Sequence, residues 1–199
     1  MSHDHSHLRW KEHGVEHIYD ARIFQVMKAD RESADGRRHH FVYLDSPNWA
    51  NVIAPITRED GVECLVMVRQ YRQGGGFVTL ELPGGVVDDG EDPKLAALRE
   101  LEEETGYTAQ DAILLGAVNP NPAFMNNEAL TFLAQGVAPR SSQSLDQNEI
   151  VDAELVPVSE LLSGERREFL NHAIMVSALY WYREYLEGRW TGREIPPKR

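Results

Sequence analysis

The sequence predicts a mixed α/β (α+β) domain carrying an antiparallel β extension at its N-terminus. Three observations lead there: short β-like runs parted by Asp-Gly turns, one run apolar at every position, and two helical segments with clear boundaries. Residues 18–28 and 38–45 read as strands split by the polar turn Ala34-Asp35-Gly36. Residues 50–57 and 62–71 read as two more, with Glu59-Asp60-Gly61 between them. The run Leu65-Val66-Met67-Val68 has no polar position, so it is expected to be a central strand covered on both faces. Residues 77–82, 111–118, 128–135 and 151–156 complete the strands. A first helix opens at Asp92-Pro93, an N-cap followed by a proline at the first helical position, and closes at Gly106. A short helix is expected at 159–163 and a longer one at 168–187, whose apolar residues spread beyond one stripe and ask for burial on more than one side. Residues 1–45 read as the extension and residues 46–199 as the main domain.

Bulk properties narrow the function classes. The 199 residues are 42% hydrophobic, enough for a true core, and the net charge of −12 argues against nucleic acid as a partner. A phosphate-bearing substrate would therefore need local arginines or a cation. Cys64 stands alone in an apolar run, which excludes an internal disulfide and suggests a small buried hydrophobe. The N-terminal stretch has no apolar segment that would make it a signal peptide, and the apolar run 173–182 is too short to span a bilayer; a cytoplasmic location without membrane attachment is the expectation. His3, His5 and His7 alternate, and are read as a frayed end.

The first helix holds the most unusual feature, Arg99-Glu100-Leu101-Glu102-Glu103-Glu104. On a helical wheel Ala97, Leu98, Leu101 and Thr105 are expected to form the buried side, with Glu100, Glu103 and Glu104 grouped opposite and Glu102 pointing elsewhere. Carboxylates one turn apart repel by a few tenths of a kcal/mol per pair, about 0.2–0.5. A solvated acidic face would tolerate this. So would a hard cation such as Mg²⁺, which takes few carboxylates, several waters and substrate phosphates. The tight turn Pro83-Gly84-Gly85 just before the helix favours the cation, because glycine lets backbone approach a ligand closely.

Together these residues resemble the Nudix box, G-x5-E-x7-R-E-U-x-E-E-x-G-U with U a bulky apolar residue. The matching positions are Gly85, Glu91, Arg99, Glu100, Leu101, Glu103, Glu104, Gly106 and Tyr107, with Tyr107 the least typical. At average residue usage a complete match by chance is on the order of one in ten million. The resemblance implies the Nudix fold, a mixed β-sheet between helices, and metal-dependent cleavage of a diphosphate. It implies Glu100 and Glu104 as the main ligands of Mg²⁺ (or Mn²⁺), with the Gly84 carbonyl as another. Glu103 would be a ligand or would orient water, and Arg99 would hold the carboxylates in place.

Outside the box, further features resemble the branch of the family that cleaves ADP-ribose and other nucleoside diphosphate sugars. Arg69 and Arg72 lie at a strand end just before Glu81, and their guanidinium forks suit a diphosphate. Glu81 is expected as a supporting or metal-linked carboxylate. Pro122, in the segment 119–124, stands sixteen residues after Gly106, where this branch carries a proline; Ala123 departs from its usual Ser-Pro-Gly form. Glu149, with Asp146 second, is the candidate general base in the loop 141–149. Trp49 and Phe124 are candidates for stacking on a base. The branch is usually a homodimer, and residues 1–45 with the last helix supply material for one. GDP-mannose, a nucleoside triphosphate or a dinucleoside polyphosphate are the alternative substrates, and a non-enzymatic sensor is the alternative class.

Overall fold

Alternation along the strands decides this architecture. The structure is a computed structural model describing residues 4–145, 147, 149–190 and 192. In chain order its elements are β1 (Trp10–Asp20), β2 (Gln25–Ser33), β3 (Arg38–Asp45), β4 (Trp49–Ile53), β5 (Pro55–Thr57), β6 (Glu63–Arg72), β7 (Phe77–Glu81), β8 (Gly84–Val86), α1 (Pro93–Thr105), β9 (Tyr107–Thr108), β10 (Asp111–Val118), β11 (Ala129–Gln135), β12 (Ala138–Pro139), β13 (Val151–Pro157), α2 (Val158–Ser163) and α3 (Ala173–Leu186). They fall into two compact units: the chain up to Pro47 with Asn119–Asn127, and Asn48–Val118 with the chain from Glu128 onward.

In the larger unit, β10-β11-β4-β8 form a mixed sheet in which β11 and β4 run parallel and the other pairs antiparallel. A second, antiparallel sheet places β6 between β13 on one side and β5 and β7 on the other. Because successive side chains point to opposite faces, each central strand feeds two cores. Leu65 and Met67 join Ile53, Leu133 and the helix residues Phe169, Met175, Ala178 and Trp181. Val66 joins Val52, Leu130, Phe132 and the α1 residues Ala96, Ala97 and Leu101. The uninterrupted burial of Cys64 to Val68 thus has the expected cause: apolar neighbours on both faces. Cys64 is buried and free.

Helix α1 starts where the Asp92 side chain accepts the Lys94 N–H at 2.8 Å, and stops at Gly106 in the left-handed region with φ of 73°. Seven residues separate Ala97 from Glu104, so at 100° per residue the two differ by only about 20° around the axis. Glu104 therefore belongs to the buried stripe and not to the opposite face, a correction to the wheel expected from sequence. It is 3% exposed, among the buried Ala97, Leu101 and Thr105.

The smaller unit is the antiparallel meander β1-β2-β3. Its strands depart from the expected 18–28: a turn at 21–24, with Arg22 at φ 70°, separates β1 from β2. β1 begins at Trp10, inside the stretch whose mostly polar composition hid it, and every one of its residues is exposed. Ahead of it, the Asp4 carboxylate accepts from Ser6 and a 3₁₀ turn covers Ser6–Leu8; His5 and His7 have ring centroids 6.4 Å apart, and His3 lies outside the described residues. The segment 119–127 joins this unit through backbone bonds from Leu44 N–H to Phe124 O at 2.7 Å and Asn126 N–H to Leu44 O at 3.3 Å. Two smaller differences concern the larger unit. The run 50–57 breaks at Ala54 into β4 and β5, and the helix expected from 168 opens as a 3₁₀ turn, Phe169–Asn171, before α3. Among the described residues no helix is long and apolar enough to cross a membrane.

Candidate active site

The turn between β7 and α1 builds the site. β8, which the sequence disguises as a glycine turn, pairs with β4 through Asn51–Gly84 and Ala50–Gly85. A Cβ at Gly84 would lie 2.7 Å from Asn51 Cα, and one at Gly85 would lie 2.6 Å from Glu100 Cδ. At Gly84 only glycine permits the approach of backbone to strand, and at Gly85 a side chain would displace the Glu100 carboxylate. The Gly84 N–H donates to the Glu104 carboxylate at 2.9 Å.

A cavity of about 340 Å³ opens above this turn. Glu100, Glu104 and Glu149 line it, with Arg72, Arg99 and Trp49 around them. Burial is the main force on Glu100 and Glu104. It pushes Glu104 up to about 8 from the ordinary 4.5, against the Gly84 N–H and with the help of the Glu100 and Glu149 charges. Glu100 is raised too, by burial first, with Arg99 opposing and the Glu103 and Glu149 charges adding.

Arg99 is the hub that makes the acidic run tolerable. Its guanidinium donates to Glu91 at 3.0 and 3.2 Å, to Glu100 at 2.9 Å, to Glu103 at 2.9 Å and to the Val86 carbonyl at 3.3 Å. Its own pKa is driven further up, most by Glu91. Glu102 turns away and lies 3.9 Å from Arg140.

Several expected site residues do not line this cavity. Arg69 does not line the cavity; it pairs with Glu154 at 3.0 Å and Glu168 at 3.2 Å. Three positions separate it from Arg72, an odd number, so along a strand the two point to opposite faces. Glu103 is held by Arg99 and is not among the lining residues. Arg72 does line the cavity, while its Nε and Nη2 donate to Glu81 at 2.7 and 2.6 Å. Glu81 is 1% exposed and also accepts from Thr79. Burial pushes its carboxyl up, but the Arg72 and Thr79 bonds outweigh that and leave it below the usual range. Pro122 and Phe124 are exposed residues of the smaller unit. Asp146 lies outside the described residues. His172, which the sequence reading passed over, stands 3.9 Å from Glu81; no motif marks it.

Among the described residues no three His, Cys, Asp or Glu side chains converge tightly enough to enclose a metal on their own. Glu100 and Glu104 beside a glycine backbone form an open, oxygen-only donor set, the kind a hard cation completes with water and phosphate oxygens.

A family profile described as NUDIX domain matches residues 47–193. The chain belongs to the NUDIX family. It is a Nudix hydrolase, an enzyme acting on phosphoric anhydrides. The chain is 33% identical over 149 residues to the methanol dehydrogenase activator of Bacillus methanolicus, covering 74% of this chain and 78% of that one. It is 30% identical over 148 residues to the ADP-ribose pyrophosphatase of Bacillus subtilis, with 74% and 78% covered. A crystal structure of an ADP compounds hydrolase superposes with a TM-score of 0.74 at 29% identity, over 91% of this Nudix chain and 96% of the other, and it shares the mixed α+β architecture described above.

The raised Glu104 has a consequence for stability. Its folded pKa of about 8 lies above the ordinary 4.5, so its contribution is fully present below 4.5 and is lost as pH rises through 8. In chelator, the melting temperature of the wild type is expected to fall between pH 5 and 8 more steeply than that of Glu104→Gln. Parallel melting curves for the two proteins across that range would contradict the assignment.

Proposed function

We propose that this Nudix hydrolase cleaves the diphosphate of ADP-ribose or a related nucleoside diphosphate sugar, with a divalent cation, giving a nucleoside monophosphate and a sugar phosphate. The observation that carries the reading is the juxtaposition of the buried Glu104 and the half-buried Glu100 with Gly84–Gly85 backbone and Arg72 in one cavity. Similarity to the ADP-ribose pyrophosphatase and to the ADP compounds hydrolase supports the substrate class.

Glu100, Glu104 and the Gly84 carbonyl would hold Mg²⁺ or Mn²⁺, which when bound neutralises diphosphate charge and makes water more acidic. The chain's own groups do the rest. Arg99 fixes Glu100, which lines the cavity, and holds Glu103 with the same guanidinium. Arg72 directs guanidinium N–H groups at the diphosphate while Glu81 anchors it. Glu149 takes the proton of the attacking water; support comes from its place in the lining and from its charge acting on Glu100 and Glu104. Trp49 offers an aromatic face at the same cavity. The chain would act as a homodimer: β1 pairs only with β2 among the described residues and exposes Trp10, Val15, Ile18 and Tyr19.

With ADP-ribose as substrate, activity is expected to vanish in EDTA and return with Mg²⁺. Glu104→Gln should cut kcat by orders of magnitude, whereas Glu102→Gln should stay near wild type. Turnover that persists in excess chelator, or an inactive Glu102→Gln beside an active Glu104→Gln, would refute this reading. For the assembly, light scattering at micromolar concentration should give twice the chain mass of 22.6 kDa; a clean monomer removes the dimer.

A further inference from the structure

Behind Arg72 lies a second layer of polar groups. His172 sits between the 3₁₀ turn Phe169–Asn171 and α3. Its ring borders a small cavity of about 20 Å³ together with Arg72, Glu81 and Asn51. Nε2 lies 3.9 Å from Glu81 Oε2, and Nδ1 has no hydrogen-bond partner among the described residues. Burial holds the imidazole below its usual pKa, with Glu81 opposing and Arg72 reinforcing, so it is a neutral ring with one N–H to offer.

Glu81 is where this N–H can matter. An ionised carboxylate has about four acceptor sites. Arg72 fills one on each oxygen, and Thr79 fills the second on Oε1. The remaining site is on Oε2, the oxygen that faces His172. The segment that carries His172 is itself clamped. Glu168 accepts from Arg166 at 3.0 Å and from Arg69 at 3.2 Å; Arg69 and Arg166 both reach Glu154, at 3.0 and 3.1 Å; and Phe169 is buried in the core. Arg69 is thus tied to this short segment through Glu168, while Arg72 holds Glu81, whose Oε2 lies 3.9 Å from the ring of His172.

We propose that His172 is a positioning residue: its ring backs the Glu81 carboxylate, which in turn holds the Arg72 guanidinium at the cavity. The inference rests on the functional reading only in assigning Arg72 to the diphosphate. Without an N–H facing it, the open site on Glu81 Oε2 has no donor, and the carboxylate is free to turn and to draw Arg72 with it. Substrate binding then weakens while the carboxylates of α1 stay in place.

The test compares His172→Phe, which keeps the ring volume but has no N–H, with His172→Gln, which keeps an N–H donor. In the Mg²⁺-loaded protein, the ¹⁵N signal of the Arg72 Nε–H, assigned by its loss in Arg72→Ala, should remain sharp and slow to exchange in wild type and in His172→Gln. It should broaden or exchange quickly in His172→Phe. With ADP-ribose, His172→Phe should raise KM by about tenfold with kcat within about twofold, His172→Gln should restore most of the loss, and His172→Phe should add nothing in an Arg72→Ala background. An unchanged Arg72 Nε–H signal in His172→Phe overturns the proposal. So does a KM effect that persists in full without Arg72, because His172 is then only a core side chain. If the wild type cleaves no diphosphate sugar, the functional reading fails, and the Arg72 signal still decides this one.

Discussion

Everything at this site depends on forcing two carboxylates into partial burial next to each other. Glu104 lies on the apolar stripe of α1 because of its spacing from Ala97 and Leu101, and the Gly84 N–H is its one hydrogen bond from the backbone turn. Glu100, one turn earlier, closes against Gly85, where a Cβ would displace its carboxylate. Ionised together in low dielectric these groups repel, and each loses hydration. A cavity that holds them only in part neutral has a built-in affinity for positive charge. Arg99 supplies some of that charge from the rim, but it is shared with Glu91 and Glu103 and does not reach Glu104.

The rest of the larger unit serves to keep that pair in register. Strands β4, β6 and β11 send alternate residues to the α1 core and to the α3 core, so α1 cannot shift without opening both sheets. β8 is pinned to β4 by backbone pairing, which fixes Gly84 and Gly85 relative to Asn51. β6 and β7 present Arg72 and Glu81 as a half-buried ion pair at the cavity, and such a pair offsets its lost hydration only while its geometry is held.

Much of this was legible in the sequence, and the gaps have physical causes. The box residues declared themselves because their chemistry is tied to spacing along one helix, where neighbours in sequence are neighbours in space. The all-apolar run at 65–68 declared a central strand for the same local reason. β1 did not, since an edge strand exposed along its length has no buried face to impose alternation. β8 was hidden because Gly84-Gly85 reads as a turn, and only its pairing partner, some thirty residues away, makes it a strand. Arg69 looked like a partner of Arg72 until strand parity separated them. His172 was invisible because its neighbour Glu81 lies ninety-one positions back, and no local pattern joins them.

Calorimetric titration of the chelated protein with Mg²⁺ at pH 7, repeated in buffers of different ionisation enthalpy, measures directly whether Glu104 is held largely protonated before a cation binds. Binding should release close to one proton per chain, since Glu104 titrates at about 8 without the cation. The release should disappear in Glu104→Gln. Mg²⁺ binding with no proton release, or with the same release in the variant, would contradict the account.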